Sequence, residues 1–143
     1  MILDNSLVFS QDQAVTTTAN STNKVDLGPT GWWGGAGAAG PIPIAIDCTE
    51  TFVDNSGTDG TVTISVKSNT ASGDYTTGVK IHYVSDAIPV TSLLAANDMN
   101  ALFRAFIPVD AQRYVFLTYT VANMTASAGK FTAKVVAAVP TNK

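Results

Sequence analysis

Hydrophobic and polar residues alternate with a period of two over several short runs of the chain. Val62, Ile64 and Val66 alternate with Thr61, Thr63, Ser65 and Lys67, which predicts a strand with one buried face. Ile42, Ile44 and Ile46 alternate with Pro41, Pro43, Ala45 and Asp47, and Cys48 and Phe52 keep the same parity. Pro43 removes a ladder donor, so this strand is expected to begin at a sheet edge. Val79, Ile81 and Tyr83 form a further apolar face with Lys80 and His82 opposite, and Phe103, Ala105 and Ile107 oppose Leu102, Arg104 and Phe106. The run from Tyr114 to Val121 is apolar on both parities, as in a strand covered on both sides. Phe131, Ala133, Val135 and Ala137 close the series, and shorter extended pieces are expected at 7–9, 23–27 and 87–90. Turn-forming residues separate the runs at 54–60, 72–74, 110–112 and 127–129. The one helical candidate is Ser92–Asn97. The pattern predicts an all-β, jelly-roll-like antiparallel β-sandwich. A single domain spans 1–143, with an N-terminal arm and first strand region at 1–22 and a Gly/Trp-rich loop at 28–40.

Length and charge narrow the partners. A domain of 143 residues buries roughly 68–70% of the surface its unfolded chain exposes, enough for a core without metals or disulfides. Only 13% of residues are charged, against about 25% in an ordinary soluble domain. Such a surface is weakly defended against association, which predicts a homo-oligomer or a permanently docked subunit. A net charge of −3 offers no basic stripe to displace counterions, so no nucleic-acid partner is expected. No run approaches the length of a membrane-spanning helix, and Met1–Ser6 lacks the basic and apolar regions of a secretory signal. The protein is expected to be made and used without passing through an export channel.

The chemistry-bearing residues are few. One cysteine, Cys48, and one histidine, His82, exclude a disulfide framework, a cysteine-based zinc site and a two-histidine metal site. No cofactor is expected. The letters of a dinucleotide fingerprint occur at Gly35-Ala-Gly-Ala-Ala-Gly40, but Pro41-Ile-Pro-Ile44 follows where that motif needs a helix to open. Asp54–Gly60 has the polarity of a calcium loop without its ligand order, and reads as a hairpin connection. The sequons at Asn20 and Asn123 carry no meaning without export. His82 would have to be the base of any catalysis, yet it sits mid-strand beside Lys80, and no nucleophile elbow is present. Cys48, on the parity of Ile42, Ile44 and Ile46, reads as a small core residue.

Two segments invite contact with other proteins. More than half of residues 28–40 are Gly or Pro, and Trp32 and Trp33 stand among them. On one reading an indole plugs the open end of the sandwich; on the other at least one docks on a partner, and both can hold because neighbouring residues in extended chain point opposite ways. The arm Met1–Phe9 carries Ile2, Leu3, Leu7, Val8 and Phe9. It is too apolar for a solvated tail, and reads as a strand ordered on assembly.

Several stretches in order along the chain resemble the cement (decoration) proteins of tailed-phage capsids, the Bordetella-phage cement protein type above all. They are Met1–Thr16, Ser21–Gly28, Gly35-Ala-Gly37 before the Pro41–Ile46 strand, Ala87-Ile-Pro-Val90, Ile107–Tyr114 through Tyr119–Val121, and Ala128–Val135. The N-terminal run and the Arg113-Tyr114 strand are the most specific pieces, while the Trp pair in 28–34 and Asn97–Met99 depart from the pattern. The resemblance implies a non-enzymatic jelly roll on the capsid exterior of a virion, bound to the major capsid protein, as dimers near two-fold axes or as trimers. Ile2, Leu3, Leu7, Phe9, Trp32, Trp33, Arg113 and Tyr114 are the expected capsid or oligomer contacts. The alternative expectation is a carbohydrate-binding β-sandwich, a receptor-binding or lectin-like virion domain in which the tryptophans stack on sugar rings.

Overall fold

A computed structural model describes residues 5–28, 41–57, 59–95 and 104–136. Among these residues ten strands run in the order β1 (Val8–Ala14), β2 (Ala19–Asn20), β3 (Val25–Asp26), β4 (Ile42–Asp54), β5 (Thr61–Asn69), β6 (Lys80–Val84), β7 (Ile88–Pro89), β8 (Ala105–Ile107), β9 (Tyr114–Ala122) and β10 (Ala126–Val135). They form two antiparallel sheets. One has the order β1-β10-β4-β8; the other has β2-β9-β5-β6, with β3 also on β9 and β7 also on β5. β2 and β3 therefore behave as halves of one strand interrupted at 21–24, and β6 and β7 as halves of another interrupted at 85–87. Counted that way, the strands fall into the orders first-eighth-third-sixth and second-seventh-fourth-fifth, which is the jelly-roll topology.

The period-two residues meet between the sheets. Phe9, Ile44, Ile46, Cys48, Phe131 and Ala133 from one sheet pack on Val62, Ile64, Val66, Val115, Leu117 and Tyr119 from the other. Tyr119 stacks on Phe131 at 5.1 Å between ring centroids, and Phe52 tilts onto the same ring at 4.9 Å. β9 is indeed covered twice. Its outward Phe116 is fully buried beneath Tyr75, whose ring meets it edge-on at 4.9 Å.

Four expectations give way. Val8 and Phe9 belong to β1, which pairs with β10 of the same chain (Val8 opposite Lys134), so that part of the arm is already ordered in the monomer. Residues 127–129 lie inside β10 rather than in a turn; Gly129 (φ +137°) sits among register shifts against β4. In place of a helix at 92–97 there is a 3₁₀ turn at Val90–Ser92, with 96–97 outside the described residues. Along β6 the expected parity breaks. Val66 faces Tyr83 while Lys67 faces Ile81, so His82 is the extra residue of a bulge.

Candidate docking surface

The bulge at His82 decides what this side of the molecule presents. Residues opposite one another share a face. Ile81 opposite Lys67 and Val84 opposite Ser65 therefore lie on the outer face of the sheet, while His82 turns inward. Ile81 is 59% and Val84 52% exposed, whereas the side chain of His82 is only 4% exposed. The apolar set of this strand is thus the solvent-facing one. Nothing in the alternation of Val79–Tyr83 signals an extra residue, so sequence periodicity could not locate it.

Among the described residues β6 and β8 are the edges of their respective sheets, and the contacts of Ser68 and His82 with Gln112 and Asp110, in the connection that follows β8, put them on the same side of the sandwich. Phe106, opposite Pro43, turns outward from β8, and Val109 follows it at 63% exposure. With Tyr83 there are five exposed large apolar side chains on this side of the sandwich, Ile81 and Val84 facing out from one sheet, Phe106 from the other, Tyr83 at the edge opposite Val66, and Val109 in the connection after β8. An isolated exposed Leu or Val needs no explanation, but Ile81 and Val84 together on the outer face of one edge strand, with further exposed apolar residues on the neighbouring edge, make this side the candidate interaction surface. Lys80, the bulge itself and Pro89 on the continuation of the strand all discourage addition of another strand to this edge. A partner therefore meets side chains here rather than backbone.

Beneath the patch lies a polar relay. Ser68 Oγ accepts the backbone N–H of Gln112 at 3.0 Å and lies 2.7 Å from His82 Nε2. His82 Nδ1 faces Asp110 Oδ1 at 3.7 Å, and Asp110 Oδ2 is paired with Lys80. Burial holds the imidazole below its ordinary pKa; Asp110 opposes that shift and Lys80 adds to it. The hydrogen bond from Lys80 is the main reason Asp110 stays below the usual carboxylate range. The order Ser–His–Asp is that of a hydrolytic triad, but Ser68 is fully buried. A substrate carbonyl cannot approach its Oγ in this fold.

The contacts expected from sequence are distributed differently. Phe9 is fully buried in the core, so its side chain is not a surface contact. Leu7 is half-buried and packs against the same core. Ile2, Leu3, Trp32 and Trp33 lie outside the described residues. Arg113 is exposed and grips Asp26 with two bonds, Nε–Oδ1 at 2.8 Å and Nη2–Oδ2 at 3.0 Å, while its guanidinium lies 5.0 Å from the half-buried Tyr114 ring. Asp26 Oδ1 also accepts the N–H of Gly28, and Leu27 N–H donates to Arg113 O. Arg113 therefore braces the point where the chain enters 29–40, at the edge of the second sheet opposite β6. Arg113 and Tyr114 are not brought together with the apolar side.

Among the described residues no group of three or more His, Cys, Asp or Glu side chains is placed to hold a metal, and no helix is long and apolar enough to cross a membrane. No curated protein matches the chain. Residues 9–135, which run from β1 to the last residue of β10, match the sequence model of Bbp16, a Bordetella phage protein family, and the chain belongs to that family.

Proposed function

We propose that this phage protein is a capsid cement protein. On this reading it docks on the outer surface of a phage head and stabilises contacts between major capsid protein subunits, without catalysing a reaction. The observation that carries the reading is the concentration of exposed apolar side chains on the two edge strands and the connection after β8, Ile81, Tyr83, Val84, Phe106 and Val109, in a chain with so few charges. A surface of this kind is stable when covered, and broad complementarity rather than a pocket is what adhesion to a lattice requires. A dimer would carry two such surfaces, so that modest contacts add up through avidity. Arg113 and Tyr114 supply a second, smaller contact candidate at the other edge.

The test is co-sedimentation with purified expanded capsids of the cognate phage, followed by thermal challenge of the particles. Wild-type protein should bind and raise the disruption temperature. Ile81→Asp with Val84→Asp, both on exposed positions, should fold with unchanged melting and lose most of the binding. Capsids that melt identically with and without bound protein, or binding to glycans and none to capsids, would overturn the reading.

A further inference from the structure

The Ser68–His82–Asp110 relay sits at a mechanical junction. His82 is the extra residue of the β6 bulge, Ser68 belongs to β5, and Asp110 and Gln112 lie in the connection from β8 to β9. The histidine side chain therefore joins an edge strand of one sheet to the chain leaving the edge strand of the other. Of the two neutral tautomers, the one with its proton on Nδ1 gives the Ser68 hydroxyl an acceptor and turns an N–H rather than a lone pair toward the Asp110 carboxylate. Ser68 Oγ has a single hydrogen and already accepts from Gln112 N–H. Its hydroxyl donates to His82 Nε2, which leaves the ring proton on Nδ1, facing Asp110.

We propose that this relay is a proton-operated latch: neutral His82 pins the bulged β6 edge to the β8–β9 connection, and a second proton on the ring releases it. Protonation at Nε2 sets an N–H against the Ser68 hydroxyl hydrogen, which must turn away from its acceptor. The new charge is almost wholly shielded from water. The charged groups that face it are Asp110, from the β8–β9 connection, and Lys80, from β6 itself; β5 contributes only the neutral Ser68. Asp110 would welcome a cation, but it is solvent-exposed and already paired with Lys80, whose ammonium repels a second positive charge in the same cluster. The ring's depressed pKa agrees with this balance. A folded-state pKa below the unfolded one means that the latch is intact at and above neutrality. It weakens as pH falls below the ordinary histidine value of about 6.5. Ile81, Tyr83 and Val84 ride on the released strand, so their placement would change in acid.

Because His82 is the only histidine in the chain, its ring can be followed without ambiguity by ¹⁵N NMR of the isolated full-length protein, alongside amide-exchange protection of β6 and β9. The expected result is an Nδ1–H tautomer at neutral pH and a ring midpoint below 6.5. Protection of β6 should fall at least tenfold across that midpoint while β9 stays protected. His82→Gln keeps a polar end near Ser68 but cannot titrate there, and should make β6 protection independent of pH over this range. Asp110→Asn removes the one anion facing the ring and should move the midpoint lower. A proton on Nε2 at neutral pH, β6 protection that ignores the ring's titration, or an Asp110→Asn midpoint equal to wild type would each overturn the latch. No capsid enters these measurements, so their outcome is separate from that of the docking reading.

Discussion

The ring of Phe52 lies directly against the backbone of Gly129, so close that a Cβ at that position would come within 2.4 Å of Phe52 Cδ1. The glycine also holds φ at +137°, a conformation that side chains rarely adopt. Its place inside β10 lets the aromatic pair Phe52–Phe131 close that part of the sandwich. Gly129→Ala combines a steric clash with backbone strain and should cost about 3 kcal/mol or more, measured by urea denaturation. Phe52→Leu should recover part of that loss when combined with it, through a coupling on the order of 1 kcal/mol. Strict additivity of the two changes would show that backbone conformation alone sets the cost.

Tyr119, which stacks on the other face of the same aromatic cluster through Phe131, joins the two sheets through Ser10. The phenol and the serine hydroxyl are 2.9 Å apart, and Ser10 Oγ donates to Gln13 Oε1, which leaves the phenol as the donor to Ser10. Tyr119→Phe removes that donor and should cost about 1 kcal/mol. Ser10→Ala strands a buried phenol and should cost more, about 1–3 kcal/mol. Burial also pushes the phenol well above its ordinary pKa. The folded state keeps that proton when the unfolded chain gives it up. This stabilisation is complete below about pH 10 and fades as pH rises beyond it. Denaturation midpoints between about pH 9 and 11 should fall more steeply in wild type than in Tyr119→Phe, and equal slopes would refute the assignment.

The sandwich was readable from sequence because burial on one face imprints a period of two, and β4, β5, β8 and β10 carry that imprint through Ile44, Ile64, Ile107 and Ala133. β9 was readable for a different reason. Phe116 is buried on the outer face by Tyr75, so both parities are apolar. The failures arise where one residue changes the register or where small residues do a strand's work. The bulge at His82 inverts the faces of β6 without altering composition. Ser127-Ala-Gly129 has the residues of a turn because Phe52 needs a bare backbone beside it. Long-range pairing of β1 with β10 leaves no local trace, so Phe9 read as an arm residue although it fills the core. The apolar side was missed for the same cause: Ile81 and Val84 look identical to core residues until the register is known.

The outer cover of β9 rests on Lys24. Its ammonium lies 4.0 Å from the Tyr75 ring centroid and 4.9 Å from that of Phe116, and it donates to Ala71 O at 3.2 Å and to Asp74 O. Asp74 Oδ1 in turn accepts the N–H groups of Thr76 and Thr77, which hold its carboxyl well below the usual range. Lys24→Met keeps the apolar stem but loses the charge and its bonds. It should cost about 1–2 kcal/mol and raise proteolysis between Thr70 and Val79. Asp74 has a depressed pKa, so its contribution is present in full above the unfolded carboxylate value and is lost progressively as pH falls from there through the lower folded-state pKa. Wild-type cleavage in this loop should therefore rise below about pH 4, with Asp74→Ala already susceptible at neutral pH. Cleavage that is equal in all three proteins at neutral pH would refute this account.

Cys48 provides a reporter of how far the core opens. It is 3% exposed, its Sγ donates to Glu50 O at 3.2 Å, and burial raises its thiol pKa. The thiolate is the reactive form, so both enclosure and a retained proton slow its modification. As the single cysteine in the chain, it gives one labelling rate with an aromatic disulfide at mildly alkaline pH. That rate should be about a thousandfold or more below that of the unfolded chain, because labelling must wait for opening of a core whose stability is several kcal/mol. Added urea should accelerate it with the slope of global unfolding, since Cys48 lies on β4 between β10 and β8. Rapid labelling without denaturant, or a urea slope far smaller than that of unfolding, would place a local opening at β4 and show that the two sheets separate there before the rest of the sandwich gives way.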